Sequence, residues 1–191
     1  HGGAIDLNLS GNVFSAATGS VAVFAQSLGA LGNGNIKLTS NGLIRGNLIG
    51  ISLDGGAANQ ITTSGSVSAV SGQAIKTTTG NDAVTNTGLL IGNINLGSGT
   101  NTVMAGGTYI AYSTIDLRDP TLAPTSAAST VPGSAATFTN AGDFRMGLDA
   151  SRLPIDLANG ATFANMDSIG AAATNLLYGA RVINTVNLDG N

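Results

Sequence analysis

One glycine recurs at a constant interval of 23 residues through the first half of the chain. Its four occurrences are Gly19, Gly42, Gly65 and Gly88. Three further positions keep the same interval, two of them apolar and one always threonine. Their members are Val21, Ile44, Val67 and Leu90; Leu38, Ile61 and Val84; and Thr39, Thr62 and Thr85. Self-similarity at a fixed period of roughly 20 to 50 residues is the sequence signature of a repeat architecture, and we therefore predict one.

Each copy of the repeat contains short segments in which apolar and polar residues alternate. Residues 20–23 read SVAV and residues 90–96 read LIGNINL. A period of two is typical of β-strands with one buried face, and the Gly, Asn and Asp residues between the segments suit tight turns. If each copy is one coil, equivalent residues stack at about 4.8 Å. Such stacking explains why a column stays apolar or stays threonine.

The predicted fold is all-β: a right-handed parallel β-helix (solenoid) of about eight coils with a 23-residue repeat and one inserted loop, roughly 40 Å long. The alternative is an antiparallel β-sandwich, whose hairpins need no fixed long period. Composition agrees with an all-β class, because the 191 residues include 28 Gly and no Glu, and residues that favour helices are scarce. A helical or α/β protein is therefore excluded.

The repeat becomes less regular after residue 109. A block at residues 103–109 follows after a shorter step, and residues 138–144 and 163–169 are looser copies. Three of the four prolines lie between Arg118 and Ala136, which excludes a central strand there. We predict a single β-helix segment over residues 1–191. Its parts are regular coils at 18–109, a loop insertion at 118–137 and looser coils at 138–191.

Charge and cysteine content exclude several classes of function. The seven Lys and Arg residues are scattered and the net charge is −3, so the chain has no basic stripe for nucleic acid. Cysteine is absent, which excludes disulfides, zinc–thiolate sites and thiol nucleophiles. No apolar window reaches the roughly 18 residues of a membrane-spanning helix. The first residues do not form a signal peptide, and the chain reads as a piece of something longer.

Several phrases in the sequence resemble the passenger domains of bacterial autotransporters, the type V secretion systems. Residues 80–88 and 91–101 are similar to the passenger repeat GNDxVxNxGxxxGNxxLGxGxN. Residues 23–29 are similar to the AQSxG element of large passengers, and residues 68–75 to another recurring phrase. The resemblance is strongest over residues 18–109. It departs from the family pattern in the thinned glycine run after AQSxG and in the Ala/Pro/Ser-rich insertion.

The resemblance implies a β-helical stalk that is exported across the outer membrane and displayed at the bacterial cell surface. It also implies a C-terminal outer-membrane β-barrel in the same precursor. The function that we expect is structural or adhesive, with adhesion or self-association into fibres. Expected partners are the chain itself, by end-to-end or lateral association, and surface glycans or host proteins. A passive spacer that holds a distal functional tip is a further possibility.

We predict no catalytic, cofactor-binding or metal-binding residue. Asp54 and Asp82 are 28 residues apart and so out of register with the repeat. A ladder of acids is conceivable at Asp119, Asp143 and Asp167. Stacked carboxylates repel one another and would need Ca²⁺ or a cation to coexist. The candidate cations are Arg118 and Arg145, and Asp189 would continue the ladder. The simpler interpretation is that each Asp caps the backbone of a turn.

The enzymatic alternative is a polysaccharide-degrading β-helix of the tailspike or lyase kind. Such an enzyme needs acids clustered with a basic residue in one groove, here between Asp116 and Asp167. The one histidine, His1, is terminal, so a catalytic triad has no well-placed base. Tandem GGxGxDxUx nonapeptides of the calcium-binding β-roll are also missing. We therefore predict a non-enzymatic protein without cofactor.

Overall fold

The computed structural model describes residues 1–111, 115–116, 137–146, 162–165 and 181–184, with side chains over residues 1–111 and 138–142. These residues form β-strands joined by turns, and none of them is helical. The strands, in chain order, are β1 (Ile5–Leu9), β2 (Val13–Phe14), β3 (Val21–Ser27), β4 (Ile36–Ser40), β5 (Leu43–Gly46), β6 (Ile49–Gly55), β7 (Ala58–Thr63), β8 (Ser66–Ala69), β9 (Gln73–Thr77), β10 (Asn81–Asn86), β11 (Leu89–Ile91), β12 (Asn93–Asn95), β13 (Thr102–Ala105), β14 (Thr108–Ala111), β15 (Ile115–Asp116), β16 (Thr137–Asn140), β17 (Asp143–Met146), β18 (Thr162–Asn165) and β19 (Arg181–Asn184).

The strands form three sheets, and the chain visits the sheets in a fixed rotation. Sheet A has the order β1-β4-β7-β10-β13-β16-β18-β19, sheet B the order β2-β5-β8-β11-β14-β17, and sheet C the order β3-β6-β9-β12-β15. Every strand pair in the described part of the chain is parallel. The all-β prediction is confirmed, and parallel pairing contradicts the antiparallel β-sandwich alternative.

Sheet A confirms two of the predicted columns. Leu38 lies opposite Ile61 and Ile61 opposite Val84, and the threonines Thr39, Thr62 and Thr85 pair in the same register. The predicted shorter step is also present, because Val103 lies opposite Val84. The looser copies align as well. Phe138 pairs with Val103, Phe144 with Tyr109, and Phe163 with Phe138. The part of the last copy up to Ile169 lies outside the described residues.

The first step of the predicted Val21 column is wrong. Val21 belongs to sheet C and pairs with Ile49, whereas the residue opposite Ile44 in sheet B is Val13. The interval between Val13 and Ile44 is 31 residues, because the connection between β3 and β4 is longer than its later equivalents. An alternating strand presents an apolar residue at every second position, so Val21 matched the 23-residue interval without sharing the strand.

The core lies between the three sheets and consists of one inward column from each strand. Its fully buried members include Ile36, Leu38, Ile44, Ile51, Leu53, Ile61, Ile75, Leu90, Tyr109 and Phe138. The Tyr109 and Phe138 ring centroids are 5.9 Å apart, within the usual range for aromatic pairs. Burial raises the pKa of the Tyr109 hydroxyl, because an apolar surrounding disfavours the phenolate. The core therefore continues from β14 into β16, across the predicted insertion at 118–137, which apart from Thr137 lies outside the described residues.

The repeated glycine marks the turn between sheets A and B. Its true column runs Gly11, Gly42, Gly65, Gly88, Gly107 and Gly142, each residue lying against the carbonyl of the one before it. Gly19, the first member predicted from the sequence, is not part of it and has nothing within 4 Å of an added Cβ. The column needs glycine because a Cβ at positions 42 to 142 would overlap backbone carbonyl atoms of the neighbouring repeat. A side chain of any kind would push the sheets apart there.

Candidate functional site

A column of buried polar side chains lies where the chain passes from sheet C to sheet A. Asn59 in β7 pairs with Asp82 in β10, and Asn101 lies directly before β13, next to Asp82 in the same column. All three residues are buried. Each follows a glycine with positive φ within three residues, namely Gly56, Gly80 and Gly99. Glycine adopts this backbone conformation readily, so the turn points the next side chain inward at the start of each sheet A strand.

The two asparagines of this column close their turns in the same way. Asn59 Nδ2 donates to the Gly55 carbonyl at 2.9 Å, and Asn101 Nδ2 donates to the Gly97 carbonyl at 3.0 Å. Each carbonyl is four residues earlier in the chain. Their Oδ1 atoms accept from backbone N–H groups of the preceding repeat, Ile36 at 3.2 Å and Asp82 at 3.0 Å. Each asparagine therefore ties its own turn to the neighbouring strand.

Asp82 occupies the middle of the column, where a carboxyl replaces the amide. Its Oδ1 accepts from Asn59 Nδ2 at 2.7 Å, and its Oδ2 accepts from the Thr77 hydroxyl. Burial raises the pKa of Asp82 to about 6, although hydrogen bonds from Thr77 and from the Asn59 side chain and backbone act in the opposite direction. Desolvation dominates because burial disfavours the charged form of a carboxyl.

Removing one turn-closing amide should cost a measurable part of the folding free energy. We expect Asn101→Ala to destabilise the chain by about 2 kcal/mol, because the substitution leaves the buried Asp82 N–H and Gly97 carbonyl without their partner. The control is Asn81→Ala on the exposed side of the same turn. Asn81 Oδ1 accepts from the Thr100 N–H at 2.9 Å, and its loss should cost less than about 1 kcal/mol. Urea unfolding followed by circular dichroism measures both, and equal effects would contradict the burial argument.

A second polar column lies at the other end of sheet A, at the turn into sheet B. Its buried members include Ser40, Thr63, Asn86 and Asn140. Asn86 Nδ2 donates to the Gly88 carbonyl at 3.1 Å and Asn140 Nδ2 to the Gly142 carbonyl at 2.8 Å. Both acceptors belong to the glycine column. Amides therefore close the turn at each end of sheet A, and this polar framework serves the fold.

The two acids of the regular repeats are out of register, as predicted. Asp54 lies in sheet C, whereas Asp82 lies in sheet A. Asp54 accepts from Gln26 Nε2 at 2.5 Å and from the Thr78 hydroxyl at 2.9 Å. The interpretation of these acids as caps of their own turns is wrong, because both lie in strands and Gln26 and Asn59 reach them from neighbouring strands. The stacking of repeats makes these partners available.

The proposed acid ladder lies mostly outside the described residues, which do not include Asp119, Asp167, Asp189 or Arg118. Asp143 and Arg145 are in β17, opposite Thr108 and Ile110. Asp116 is in β15, opposite Asn95. The ladder and the acid groove of the enzymatic alternative therefore stay predictions. His1 is exposed at the end of the chain.

Within the described part of the chain, no group of three or more His, Cys, Asp or Glu side chains is placed to hold a metal ion. A search of the same residues for a helix long and apolar enough to cross a membrane found none.

The outer surface of sheet A carries a row of threonines. Thr39, Thr62 and Thr85 lie in one outward column, which continues with Met104 and Thr139. Lys37 and Asp6 pair beside this column at 3.8 Å, and both are exposed. Four large apolar side chains are exposed in or just after the first passage of the chain through the sheets: Phe14, Phe24, Leu28 and Leu31. The surface is therefore mostly uncharged and hydroxyl-rich.

Comparison of the chain with protein-family models, with curated proteins and with solved structures gave no match in any of the three searches.

Proposed function

We propose that this chain is a non-enzymatic structural or adhesive stalk built as a right-handed parallel β-helix of about eight coils. The observation that supports it best is the order of sheet A, in which eight parallel strands follow one another from β1 to β19. Eight strands at about 4.8 Å each give a rod roughly 40 Å long. Parallel connections that return to the same sheet are almost always right-handed, which supports the handedness.

The interior supports a mechanical role. The core columns and the two turn-closing polar columns fix each repeat to the one before it, so that bending the rod would break buried contacts at every level. The two acids of the regular repeats also serve this framework. Asp54 and Asp82 are bound by Gln26, Thr78, Asn59 and Thr77. Their hydrogen bonds give them a structural role and support a non-enzymatic function.

The exterior supports association with other rods or with glycans. The threonine row of sheet A presents hydroxyl groups at the strand spacing of about 4.8 Å, and hydroxyls both donate and accept hydrogen bonds. A net charge of −3 over 191 residues gives little repulsion between like molecules. We propose the chain itself, surface glycans and host proteins as partners.

The location and precursor that we propose come from the sequence resemblance. The phrases at residues 80–88 and 91–101 match the passenger repeat of autotransporters. On this basis we propose a passenger segment that is exported to the bacterial cell surface and joined to an outer-membrane β-barrel of the same precursor.

Self-association is the part of this proposal that one experiment tests. Sedimentation velocity of the purified chain across a concentration series, with electron microscopy of the same samples, should show rods that associate as concentration rises. A double variant, Thr62→Lys with Thr85→Lys, should weaken lateral contact through the threonine row. The matched control places the same two charges on sheet B, at Ser66 and Ser68.

A strict monomer at every concentration would contradict self-association. A screen for polysaccharide cleavage then separates the enzymatic alternative from a passive spacer or a glycan-binding stalk. Cleavage by the purified chain would overturn the non-enzymatic function.

A further inference from the structure

The buried column at the turn into sheet A contains one residue that can change its charge. Its members are Asn59, Asp82 and Asn101, with Asp82 only 2% exposed. Asn59 and Asn101 each donate an amide N–H to the carbonyl four residues earlier. A carboxylate has no hydrogen to donate, whereas a protonated carboxyl has one. Only the protonated form of Asp82 can therefore act as a donor in its turn as the two asparagines do in theirs.

No positive charge balances Asp82 when it is ionised. The one ion pair within the described chain joins Lys37 and Asp6 on the outer surface. The strands packed against Asp82 contribute Asn59 from β7, Thr77 from β9 and Asn101 from before β13. The other ionisable groups nearby are Lys76, which is exposed on the outer side of β9, and Asp54, which is bound to Thr78. An unpaired buried carboxylate is costly.

We propose that Asp82 is an acid-sensitive clamp, which holds the turn between β9 and β10 closed when the carboxyl is protonated and weakens the stack when it is ionised. The proton comes from solvent and resides on an Asp82 carboxyl oxygen. From there it can be donated to the Thr77 hydroxyl oxygen or to the carbonyl of Thr78, the residue four positions earlier. This proposal does not depend on the proposed adhesive role, because it concerns the stability of the stack itself.

The direction of the pH effect follows from the environment of the carboxyl. The pKa of Asp82 is raised from 3.8 to about 6 in the folded chain. The folded state therefore binds more protons than the unfolded state between these two values, and the free energy of unfolding falls as the pH rises through that window. Below the unfolded pKa both states are protonated and the penalty is absent. Above the folded pKa the penalty is complete.

The test compares the pH dependence of unfolding for the natural chain and for Asp82→Asn, which restores the asparagine of the flanking repeats. The ratio of the two unfolding equilibrium constants should grow by about 100-fold between about pH 3.5 and about pH 7.5, with Asp82→Asn the more stable at the higher pH. The matched control is Asp54→Asn, a part-exposed acid at the same corner of the stack. This variant should keep the pH dependence of the natural chain.

A ratio that stays constant with pH would overturn the proposal. If Asp82→Asn does not fold, the titration of the Asp82 carboxyl carbon in the natural chain, followed by NMR, decides instead. A midpoint near 6 supports the clamp, and a midpoint near 4, the ordinary value for aspartate, overturns it.

Discussion

Gly65→Ala should prevent stable folding of the chain, with a loss of more than about 4 kcal/mol, at the upper end of what single substitutions cost. An added Cβ at this position would overlap the Gly42 carbonyl oxygen and would lie 2.6 Å from the Asn41 carbonyl carbon. These are backbone atoms of the neighbouring repeat, so no side-chain rotation can relieve the overlap. The strands on either side of the turn would have to separate, and every layer above them would lose register.

Gly11→Ala is the matched control, because Gly11 begins the same column and has nothing within 4 Å of an added Cβ. Neither glycine has a positive φ, so the two substitutions differ in their neighbours and not in backbone strain. Gly11→Ala should change stability by less than about 1 kcal/mol. Circular dichroism and urea unfolding of both variants provide the comparison. A Gly65→Ala chain as stable as Gly11→Ala would show that no strand lies against this turn.

Phe138→Ala should destabilise the chain by about 3 to 5 kcal/mol, the usual cost of removing a fully buried phenylalanine. Phe138 is 0% exposed, and its ring lies 5.9 Å from the ring of Tyr109. It is opposite Val103 although 35 residues separate them in sequence. The substitution therefore tests whether the chain rejoins the same core after the predicted insertion.

The neighbouring substitution Thr139→Ala is the control for Phe138→Ala. Thr139 is in the same strand, but its side chain points outward and is only partly buried, so its removal should cost less than about 1 kcal/mol. Thermal unfolding followed by calorimetry measures both variants. If both substitutions have equally small effects, β16 does not cover the core that ends at β14.

The repeat in sheet A could be predicted because stacking keeps each column chemically uniform. Leu38, Ile61 and Val84 stay apolar and three threonines stay outside, so the 23-residue interval is visible without a structure. The interval fails where connections change length. Between β3 and β4 the connection is longer, and Val21 therefore matched Ile44 in sequence while pairing with Ile49 in space.

The buried polar column was missed for a related reason. Asn59 and Asp82 are 23 residues apart, but Asp82 and Asn101 are only 19 apart, so a search at one period does not connect the three. The signal that could have found them is the glycine shortly before each one, at Gly56, Gly80 and Gly99. An acid and an amide have different names in a sequence, although here they fill the same place in successive turns.

The stacking of repeats is most directly tested by distances between spin labels along one outward column of sheet A. The column contains Asn8, Thr39, Thr62, Thr85, Met104 and Thr139, and the absence of natural cysteine allows labels at chosen pairs. At about 4.8 Å per strand, Asn8→Cys/Met104→Cys should give a narrow distribution near 19 Å, and Asn8→Cys/Thr139→Cys one near 24 Å. The 35 residues between Met104 and Thr139 should thus add only about one strand spacing. Broad distributions, or a second distance longer than the first by more than about 15 Å, roughly three strand spacings, would contradict the stacked parallel fold.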